Sequence, residues 1–533
     1  MMLTYIWVAV AAVALIIYLW QTYSKLSKAG VRHLPIVPFF GNFAYILLRR
    51  EHVTDYMQRL SKTFPEDSIV GQYELVSPVL MIKDIDMIKR ITIKDFEHFV
   101  DRRGFVDTGD PIFGRSLLML KGDEWKAMRA TLSPAFTSSK IRLMVPFMVE
   151  VGEEMIKTLK QKIKETGNPY IDIEARDLAT RYACDVIASC AFGLKVDSQS
   201  QDNQFFNMSS QVTSFNFTSL LKVFLFRVCP KIFFKVKLSS SEVSSFFTQV
   251  VLDTMKNRDF HNIIRSDMIN ILMEVKKGIS QLHHENKDIE DTGAGFATVE
   301  ESTVGKKQHN KGKSKWSDVD LVAQAVLFLL AGFDTIATTM AFLLHELALN
   351  PDVQDRLADE IRKHDEKHQG KFDYNSIQQM TYLDMVVSEG LRIWPGAPFA
   401  DRMCVKDYVA GKPNPQSSKD LIIRKGDCIN IPIWVLHRSP ELFPNPDKFD
   451  PERFSEKNRA NIKPFSYLPF GLGPRNCIGS RFALCEVKVM LYQLLREMEV
   501  YPSEKTCFPT KLSQDGFRMR IMGGAWLRLK IRP

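Results

Sequence analysis

Apolar residues occur along this chain in long stretches of helical periodicity and in a few short continuous runs. Helical patterns cover residues 144–159, 174–192, 317–349 and 378–392, and strand-like runs lie at residues 79–82, 421–423 and 525–531. Apolar residues that recur every three and four positions predict helices, whereas short apolar runs favour strands. The pattern therefore predicts a mostly α-helical fold with small β-sheets.

The N-terminus contains an apolar segment of a different kind. Residues 3–20 carry no charge, and as a helix they would be about 27 Å long, close to the hydrocarbon core of a bilayer. Aromatic residues lie near both ends, and the positive charges of Lys25, Lys28 and Arg32 follow, which places the rest of the chain in the cytosol. A cleaved signal peptide is the alternative, but no basic residue precedes the run. We predict one N-terminal transmembrane helix as a membrane anchor over residues 1–24.

Three further segments differ in composition from the rest of the chain. Pro35 and Pro38 stiffen residues 25–45, which we interpret as a hinge before residues 46–533. Residues 276–315 are polar, rich in lysine and without periodicity, so we predict a mobile surface loop. Residues 203–241 combine many phenylalanines with basic side chains and no acidic ones. This composition indicates either a second membrane contact or a helix pair whose aromatic residues face the core.

Overall composition excludes some classes of protein. With 533 residues, 45% of them hydrophobic, the chain can bury a large core. A net charge of +9 favours acidic partners or an anionic membrane surface. Nucleic acid is not an expected partner, because the sequence has no zinc-ligand spacing and no basic–aromatic recognition module. The eight cysteines form no CxxC pair, which favours a reducing compartment over a disulfide framework.

One of the cysteines stands in an unusual setting. Cys477 lies in the run Phe470-Gly-Leu-Gly-Pro-Arg-Asn-Cys-Ile-Gly479. Glycines permit a tight loop whose backbone N–H groups point at the sulfur, and with Arg475 nearby such donors would favour the thiolate. A thiolate held in this way can bind a haem iron and push electron density towards O–O cleavage. A buried free cysteine is the alternative, but it does not account for the residues that surround Cys477.

A second unusual group lies inside the long apolar pattern of residues 317–349. Ala331, Thr335 and Thr339 recur every four positions and share one helix face. Asp334 is costly in an apolar helix unless it has a partner or a function. With Gly332 in the same turn, these residues suggest a small groove in which a hydroxyl and a carboxylate hand on protons.

These two runs resemble the motifs of the cytochrome P-450 haem-thiolate monooxygenases. Residues 470–479 match the pattern F-x-x-G-x-R-x-C-x-G at every fixed position, and residues 331–335 match A/G-G-x-D/E-T. Together with three other motifs in the family's order, the resemblance runs from about Trp125 to the C-terminus. It implies the cytochrome P-450 fold as one catalytic domain over residues 46–533. It also suggests the microsomal type, within the insect group that metabolises xenobiotics.

The resemblance implies roles for individual residues. Cys477 would be the iron ligand, while Thr335 and Asp334 would be catalytic, acting on bound oxygen and relaying protons. Ile336 departs from the family, because many members carry Ser or Thr there. Thr338 or a water is expected to take the place of that hydroxyl.

Further roles follow from the same resemblance. Residues expected to bind haem b, mostly through its propionates, are Trp125, Arg129, Arg402, Phe470, Arg475 and, as a further candidate, Arg102. A structural network of Glu389, Arg392 and Arg453 would support the haem loop. The substrate pocket would include Phe105, Phe113, Phe333, Ala397, Phe399 and Phe517, whose aromatic character favours a lipophilic substrate. His437 fits a structural loop better than a metal site.

The expected function is insertion of one atom of O2 into a lipophilic small molecule. The resemblance implies the endoplasmic reticulum membrane, NADPH as the electron source, an NADPH-cytochrome reductase as partner and cytochrome b5 as a further candidate. A basic patch of Lys121, Lys126, Lys140, Arg481 and Lys488 would steer the reductase. Xenobiotic detoxification is the leading role. Oxidation of an endogenous lipid, hormone or pheromone, a haem-thiolate peroxide isomerase and a non-catalytic haem sensor are the alternatives.

Overall fold

The computed structural model describes residues 1–103, 110, 112–213, 240–277, 296–297 and 316–533. The α-helices are α1 (Met2–Tyr23), α2 (Lys25–Lys28), α3 (Ala44–Leu47), α4 (Val53–Thr63), α5 (Ile85–Lys89), α6 (Gly122–Leu132), α7 (Ser138–Thr166), α8 (Ala175–Ile187), α9 (Gln204–Thr213), α10 (Ser241–His261), α11 (Met268–Lys276), α12 (Asp318–Leu349), α13 (Pro351–His368), α14 (Tyr374–Gln378), α15 (Thr381–Ile393), α16 (Ile433–His437) and α17 (Ser480–Glu497). Turns of π-helix follow α5 and α8, at Arg90–Lys94 and Ala188–Phe192.

Short strands form three small sheets in the described part of the chain. The strands are β1 (Ile69–Glu74), β2 (Ser77–Ile82), β3 (Tyr170–Glu174), β4 (Ala400–Met403), β5 (Tyr408–Gly411), β6 (Leu421–Ile423), β7 (Cys428–Ile431), β8 (Met498–Pro502) and β9 (Trp526–Ile531). One sheet has the order β1-β2-β7-β4, in which β2 and β7 are parallel and the other pairs antiparallel. The antiparallel sheets β3-β9-β8 and β5-β6 complete the set. The expected fold class, mostly α with small β-sheets, is confirmed.

Helix α12 lies at the centre of the main hydrophobic core. Ser317 caps its N-terminus and forms a capping box with Asp320, because each side chain accepts a hydrogen bond from the other's backbone N–H. Most of its residues are buried, and it packs against α8, α10, α15 and α17. A Cβ at Gly332 would overlap Ile187, so this glycine allows α8 to approach α12 closely. Gly332 therefore serves helix packing, whereas the sequence suggested that it opens the groove itself.

The helical patterns in the sequence match helices of the structure, with shifted ends. The pattern at 317–349 corresponds to α12, and the pattern at 144–159 is part of the longer α7. The pattern at 174–192 changes from α-helix to a π-helical turn at Ala188 and ends at Gly193, whose φ of 69° is left-handed. The pattern at 378–392 splits into α14 and α15, because Met380 is extended between them. The strand-like runs correspond to β2, β6 and β9.

Two described helices are long and apolar enough to cross a membrane, α1 and α12. Most of the apolar window of α12 is buried inside the protein, whereas none of that of α1 is. The segment that follows α1 is attached to the body, since Asn42 exchanges two hydrogen bonds with Tyr73 of β1. Most of the loop expected at 276–315 and of the segment 203–241 lies outside the described residues.

The interior contains an ionisable group without a counter-charge. Glu486 of α17 is fully buried, and neither of its carboxyl oxygens has a hydrogen-bond partner among the described residues. Burial raises the pKa of this carboxyl well above its usual range. The folded protein therefore holds a proton at Glu486 at a pH where the unfolded chain has lost it. Stability is lost as the pH rises above the unfolded pKa of about 4.3.

We expect Glu486→Gln to remove this pH dependence. The difference in unfolding free energy between the variant and the parent should grow by up to about 1.4 kcal/mol per pH unit above pH 5, because the amide cannot ionise. Thermal or urea unfolding of both proteins between pH 5 and pH 8 measures this difference. Parallel stability profiles over that range would show that Glu486 is solvated or paired.

Candidate active site

The loop that carries Cys477 is fixed by short backbone contacts. The Cys477 N–H donates to the Phe470 carbonyl at 2.9 Å, and the Asn476 N–H donates to the Gly473 carbonyl at 2.9 Å. Gly473 has a φ of 71°, and a Cβ there would overlap the carbonyl oxygen of Thr92. Glycine is required at this position for two reasons, its left-handed backbone and the proximity of another chain segment.

Cys477 is exposed to solvent, and the protein atoms around its other sides desolvate the thiol. Burial is the main influence and raises the pKa of this thiol; the Gly479 N–H and the charges of Arg129 and Arg102 act in the opposite direction. The expected N–H donor to the sulfur is therefore present. The thiolate that the sequence suggested stays a prediction, because burial opposes these donors. A bound metal would stabilise the thiolate, since a thiol that coordinates a metal is deprotonated outright.

The middle of α12 carries a small exposed face. Ala331 and Thr335 are exposed on a helix that is otherwise largely buried. Gly396 lies close to both threonines of this face, so that a Cβ there would be 3.8 Å from Thr335 and 3.9 Å from Thr339. Phe136 connects α12 with the cysteine loop, because it contacts the ring of Phe328 at 5.2 Å and a Cβ on Gly479 would be 3.5 Å from it.

Asp334 has a basic partner that the sequence did not reveal. Arg176 of α8 forms an ion pair with the Asp334 carboxylate, and its other terminal nitrogen donates to the Thr338 hydroxyl at 2.6 Å. Thr338 donates its own proton to the Asp334 carbonyl at 2.7 Å. Ile336 is buried in the core. The Thr338 hydroxyl therefore accepts from Arg176 and already donates its hydrogen to a backbone carbonyl. These contacts argue against Thr338 as the proton donor that replaces the hydroxyl missing at position 336.

Three arginines converge behind the cysteine loop. Arg102 pairs with Asp401 at 3.2 Å, Arg402 donates to the Asp401 and Leu472 carbonyls, and the Nε of Arg402 is buried without a partner among the described residues. Arg475 donates to the carbonyls of three residues, Val100, Leu117 and Leu120. Burial and the nearby Arg102 lower the pKa of Arg402 to about 9 and that of Arg475 to about 8. Such a cluster favours an anionic group.

Trp125 and Arg129 of α6 lie against the same loop. The Trp125 ring is buried, and the Arg475 guanidinium lies 3.9 Å from its centroid. Arg129 donates to the backbone oxygen of Asn476 at 2.9 Å and to its side-chain oxygen at 2.8 Å. Helix α6 is thus attached to the residue next to Cys477. Arg475 is turned away from the sulfur, towards Trp125 and the three carbonyls.

Glu389, Arg392 and Arg453 meet as the sequence suggested. Glu389 and Arg392 are fully buried and form two contacts, at 2.7 and 2.8 Å, and Arg453 reaches Glu389 at 3.3 Å. Arg392 also donates to the His437 carbonyl at 2.8 Å. A buried ion pair of this kind needs such additional hydrogen bonds to offset desolvation. His437 accepts from the Leu468 N–H at 2.8 Å and contacts the Arg392 carbonyl, so the histidine ties the network to the segment before the cysteine loop.

Known proteins are similar to this chain over almost its whole length. A family model described as Cytochrome P450 matches residues 32–303 and 297–527. Cytochrome P450 9e2 of Blattella germanica is 41% identical over 98% of this chain and 97% of its own length. Two proteins of Drosophila melanogaster are similar as well. Probable cytochrome P450 9f2 is 40% identical over 97% of this chain and 98% of its own length. Probable cytochrome P450 6a13 is 38% identical over 98% of both.

The chain belongs to the cytochrome P450 family. It is a haem monooxygenase of the type that these insect relatives represent, with haem iron and O2 as the reactive partners. The residues of this P450 fit the cofactor. Cys477 presents an exposed sulfur. Among the described residues the three arginines pair with two carboxylates, Asp101 and Asp401, which leaves one positive charge that a haem propionate would offset.

The expected pocket residues lie in different surroundings. Phe333 is buried against Phe206, with 6.2 Å between the ring centroids, whereas Ala397 is exposed beside Gly396. Phe399 packs on the core cluster next to the β1-β2 sheet, and Phe517 contacts Phe43 at 5.7 Å. Phe113 is half-buried against the main core. Phe105 lies outside the described residues.

The basic patch expected to steer a reductase is only partly a surface. Lys488 has a fully buried side chain that pairs with Asp384 at 2.9 Å. Its assignment to the patch was wrong, because the repeat of α17 turns this position towards the core. Lys126 pairs with Glu97 at 3.0 Å. Lys121 is exposed, and Lys140 and Arg481 are half-buried.

Sequence reasoning missed Arg176, Thr92, Asn476 and Asp401. Each of them acts through a partner more than sixty residues away in the chain. Arg176 gave one signal, since it is a basic residue in the first turn of a predicted helix, where the helix dipole disfavours positive charge.

We expect Gly473→Ala to lower haem loading severalfold. A Cβ at this position overlaps the Thr92 carbonyl, so the loop must move and take Cys477 with it. Gly370→Ala is the matched control, because Gly370 has a similar φ of 75° but open space around it. Both variants carry a left-handed penalty of about 1–2 kcal/mol, and only the first has the clash. Pigment absorbance per unit of protein should fall severalfold in Gly473→Ala alone, and equal haem content in the two variants would contradict this assignment.

Proposed function

We propose that this protein is a membrane-anchored monooxygenase that oxidises lipophilic small molecules, foreign compounds above all, with electrons from NADPH. The observation that supports this most is the exposure of Cys477 and of Ala331 and Thr335 of α12, on elements that Phe136 connects. The space between them would be the active-site cleft. In the overall reaction, substrate, O2, two electrons and two protons give the oxygenated product and one water.

Cys477 would ligate the haem iron through its sulfur. Arg102, Arg402 and Arg475 would hold the propionates, with Trp125 and Arg129 keeping the cysteine loop and α6 together. When bound, the haem supplies O2 binding and O–O cleavage, to which a cysteine ligand contributes electron density. The Glu389–Arg392–Arg453 network would keep the segment before the loop in place.

Asp334 and Thr335 are the residues that move protons in this proposal. The Thr335 hydroxyl donates to the Ala331 carbonyl at 2.5 Å, which leaves its oxygen free to accept a hydrogen bond from within the cleft. The Asp334 side chain is 41% exposed, so water can reach its carboxylate. Such a pair brings protons from solvent to the cleft, as a general acid–base group does.

The N-terminal segment would attach the protein to the endoplasmic reticulum membrane. Residues 1–24 would span the bilayer, residues 25–45 would form the hinge and residues 46–533 the cytosolic catalytic domain. Exposed apolar residues continue beyond α1 and would lie at the lipid surface; they are Val37, Phe39, Phe40, Tyr45, Leu47 and Leu48. Lys28 lies 4.6 Å from the Trp20 ring, where an interfacial aromatic and a basic residue are expected together.

A flavoprotein NADPH-cytochrome reductase would supply the electrons one at a time, with cytochrome b5 as a second donor. The exposed Lys121, with the half-buried Lys140 and Arg481, lies on the elements that surround the cysteine loop and would attract an acidic partner.

The presence of Asp334 next to Thr335 favours a monooxygenase over a peroxide isomerase, because the isomerase reaction needs no protons from solvent. Endogenous lipids, hormones or pheromones are the alternative substrates.

Oxygen labelling during turnover tests the proposed reaction. With a purified NADPH-dependent reductase, NADPH and ¹⁸O2, a lipophilic substrate selected by its effect on the haem spectrum should gain one labelled atom, and the other should appear in water. The rate should fall as ionic strength rises, because screening weakens electrostatic docking. Product formed without NADPH and reductase would indicate an isomerase, and no product with any spectrally active substrate would indicate a haem sensor.

A further inference from the structure

Arg176 connects two helices at the catalytic carboxylate. It lies in the first turn of α8, and its guanidinium contacts both the Asp334 carboxylate and the Thr338 hydroxyl of α12. These two residues are one helical turn apart on the same face. Among the described residues, Arg176 is the only recorded hydrogen-bond donor to the Asp334 carboxylate. One carboxylate oxygen is thus held by the guanidinium, and the other remains open.

The position of Arg176 is costly. Its side chain is only 17% exposed, and burial lowers the pKa of its guanidinium, an effect that the charge of Asp334 partly offsets. Arg518 and Arg520, from the segment between β8 and β9, add further positive charge and act in the same direction as burial. Glu174 at the start of α8 is the other acidic neighbour of Arg176. Stability alone gives little reason for an arginine here, since a neutral side chain would avoid the desolvation.

We propose that Arg176 is a positioning residue for proton transfer, which fixes one oxygen of the Asp334 carboxylate, in the residue next to Thr335, and leaves the second oxygen to exchange protons with water. The inference rests on the proposed function, because it needs Asp334 to relay protons. In each cycle the free oxygen of Asp334 takes up one of the two protons that the reaction consumes from the solvent and passes it into the cleft, and the carboxylate is regenerated.

The test compares Arg176→Met with Arg176→Lys, Asp334→Asn and the double variant Arg176→Met/Asp334→Asn in the full-length enzyme. Arg181→Met is the matched control, since Arg181 lies on the same helix, is 20% exposed and pairs with Asp177 and Asp202. The measured quantities are product formed per NADPH, hydrogen peroxide released, the solvent deuterium isotope effect, and the thermal unfolding midpoint without turnover.

We expect Arg176→Met to lower product per NADPH roughly tenfold, less than loss of a general acid–base group itself, with the missing electrons recovered as hydrogen peroxide. The isotope effect should rise and the substrate KM should remain unchanged. Arg176→Lys should recover part of the yield, because an ammonium keeps the charge that pairs with Asp334 but lacks the planar fork that reaches Thr338 through a second nitrogen. In the Asp334→Asn background, Arg176→Met should have no further effect on yield. The losses in unfolding midpoint should be non-additive.

Two results would overturn the inference while leaving the proposed function intact. The first is a yield and isotope effect in Arg176→Met that equal those of Arg181→Met. The second is an additional loss of yield when Arg176→Met is added to Asp334→Asn, since Arg176 would then act independently of Asp334. If Asp334→Asn itself keeps the parent's yield and isotope effect, the relay in the proposed function fails first, and the role of Arg176 with it.

Discussion

The contact between Gly473 and the Thr92 carbonyl is the constraint on which the active site depends. It fixes the distance between the cysteine loop and the π-helical turn after α5. No residue with a side chain fits at position 473. Arg475 and Asn476 then connect the loop to three carbonyls and to α6. The sulfur of Cys477 is therefore presented to the cleft by a loop that is held on several sides, as an iron ligand must be.

Buried charge is the second theme of this structure. The Glu389–Arg392 pair, the arginine cluster behind the cysteine loop and the guanidinium of Arg176 all lie where desolvation is expensive. These groups differ in how many charged and hydrogen-bonding partners the protein gives them. Glu389 and Arg392 have partners within the protein, whereas the cationic cluster has an excess of positive charge that an anionic cofactor would offset. Glu486 is a third case, in which neutralisation takes the place of pairing.

Features that depend on residues close together in the chain could be predicted from the sequence. The central helix, the cysteine loop and the two residues Asp334 and Thr335 follow from periodicity and spacing, and the family follows from the motifs. Arg176 could not be found in this way, because its role depends on how α8 crosses α12. Lys488 was misplaced for the same reason: its charge suggested a surface, and only the packing of α17 places it next to Asp384. The split of α14 from α15 depends on one extended residue, Met380, which carries no breaking signal in the sequence.

The absorption spectrum of the reduced, carbon monoxide-bound protein tests the central claim most directly, in the parent, in Cys477→Ala and in Cys485→Ala. Cys485 is a buried free cysteine on α17 and serves as the control. The account predicts a spectrum of the sulfur-ligated type in the parent and in Cys485→Ala, and its loss in Cys477→Ala. A sulfur-type spectrum that persists in Cys477→Ala would contradict the assignment of the iron ligand and with it the site described above.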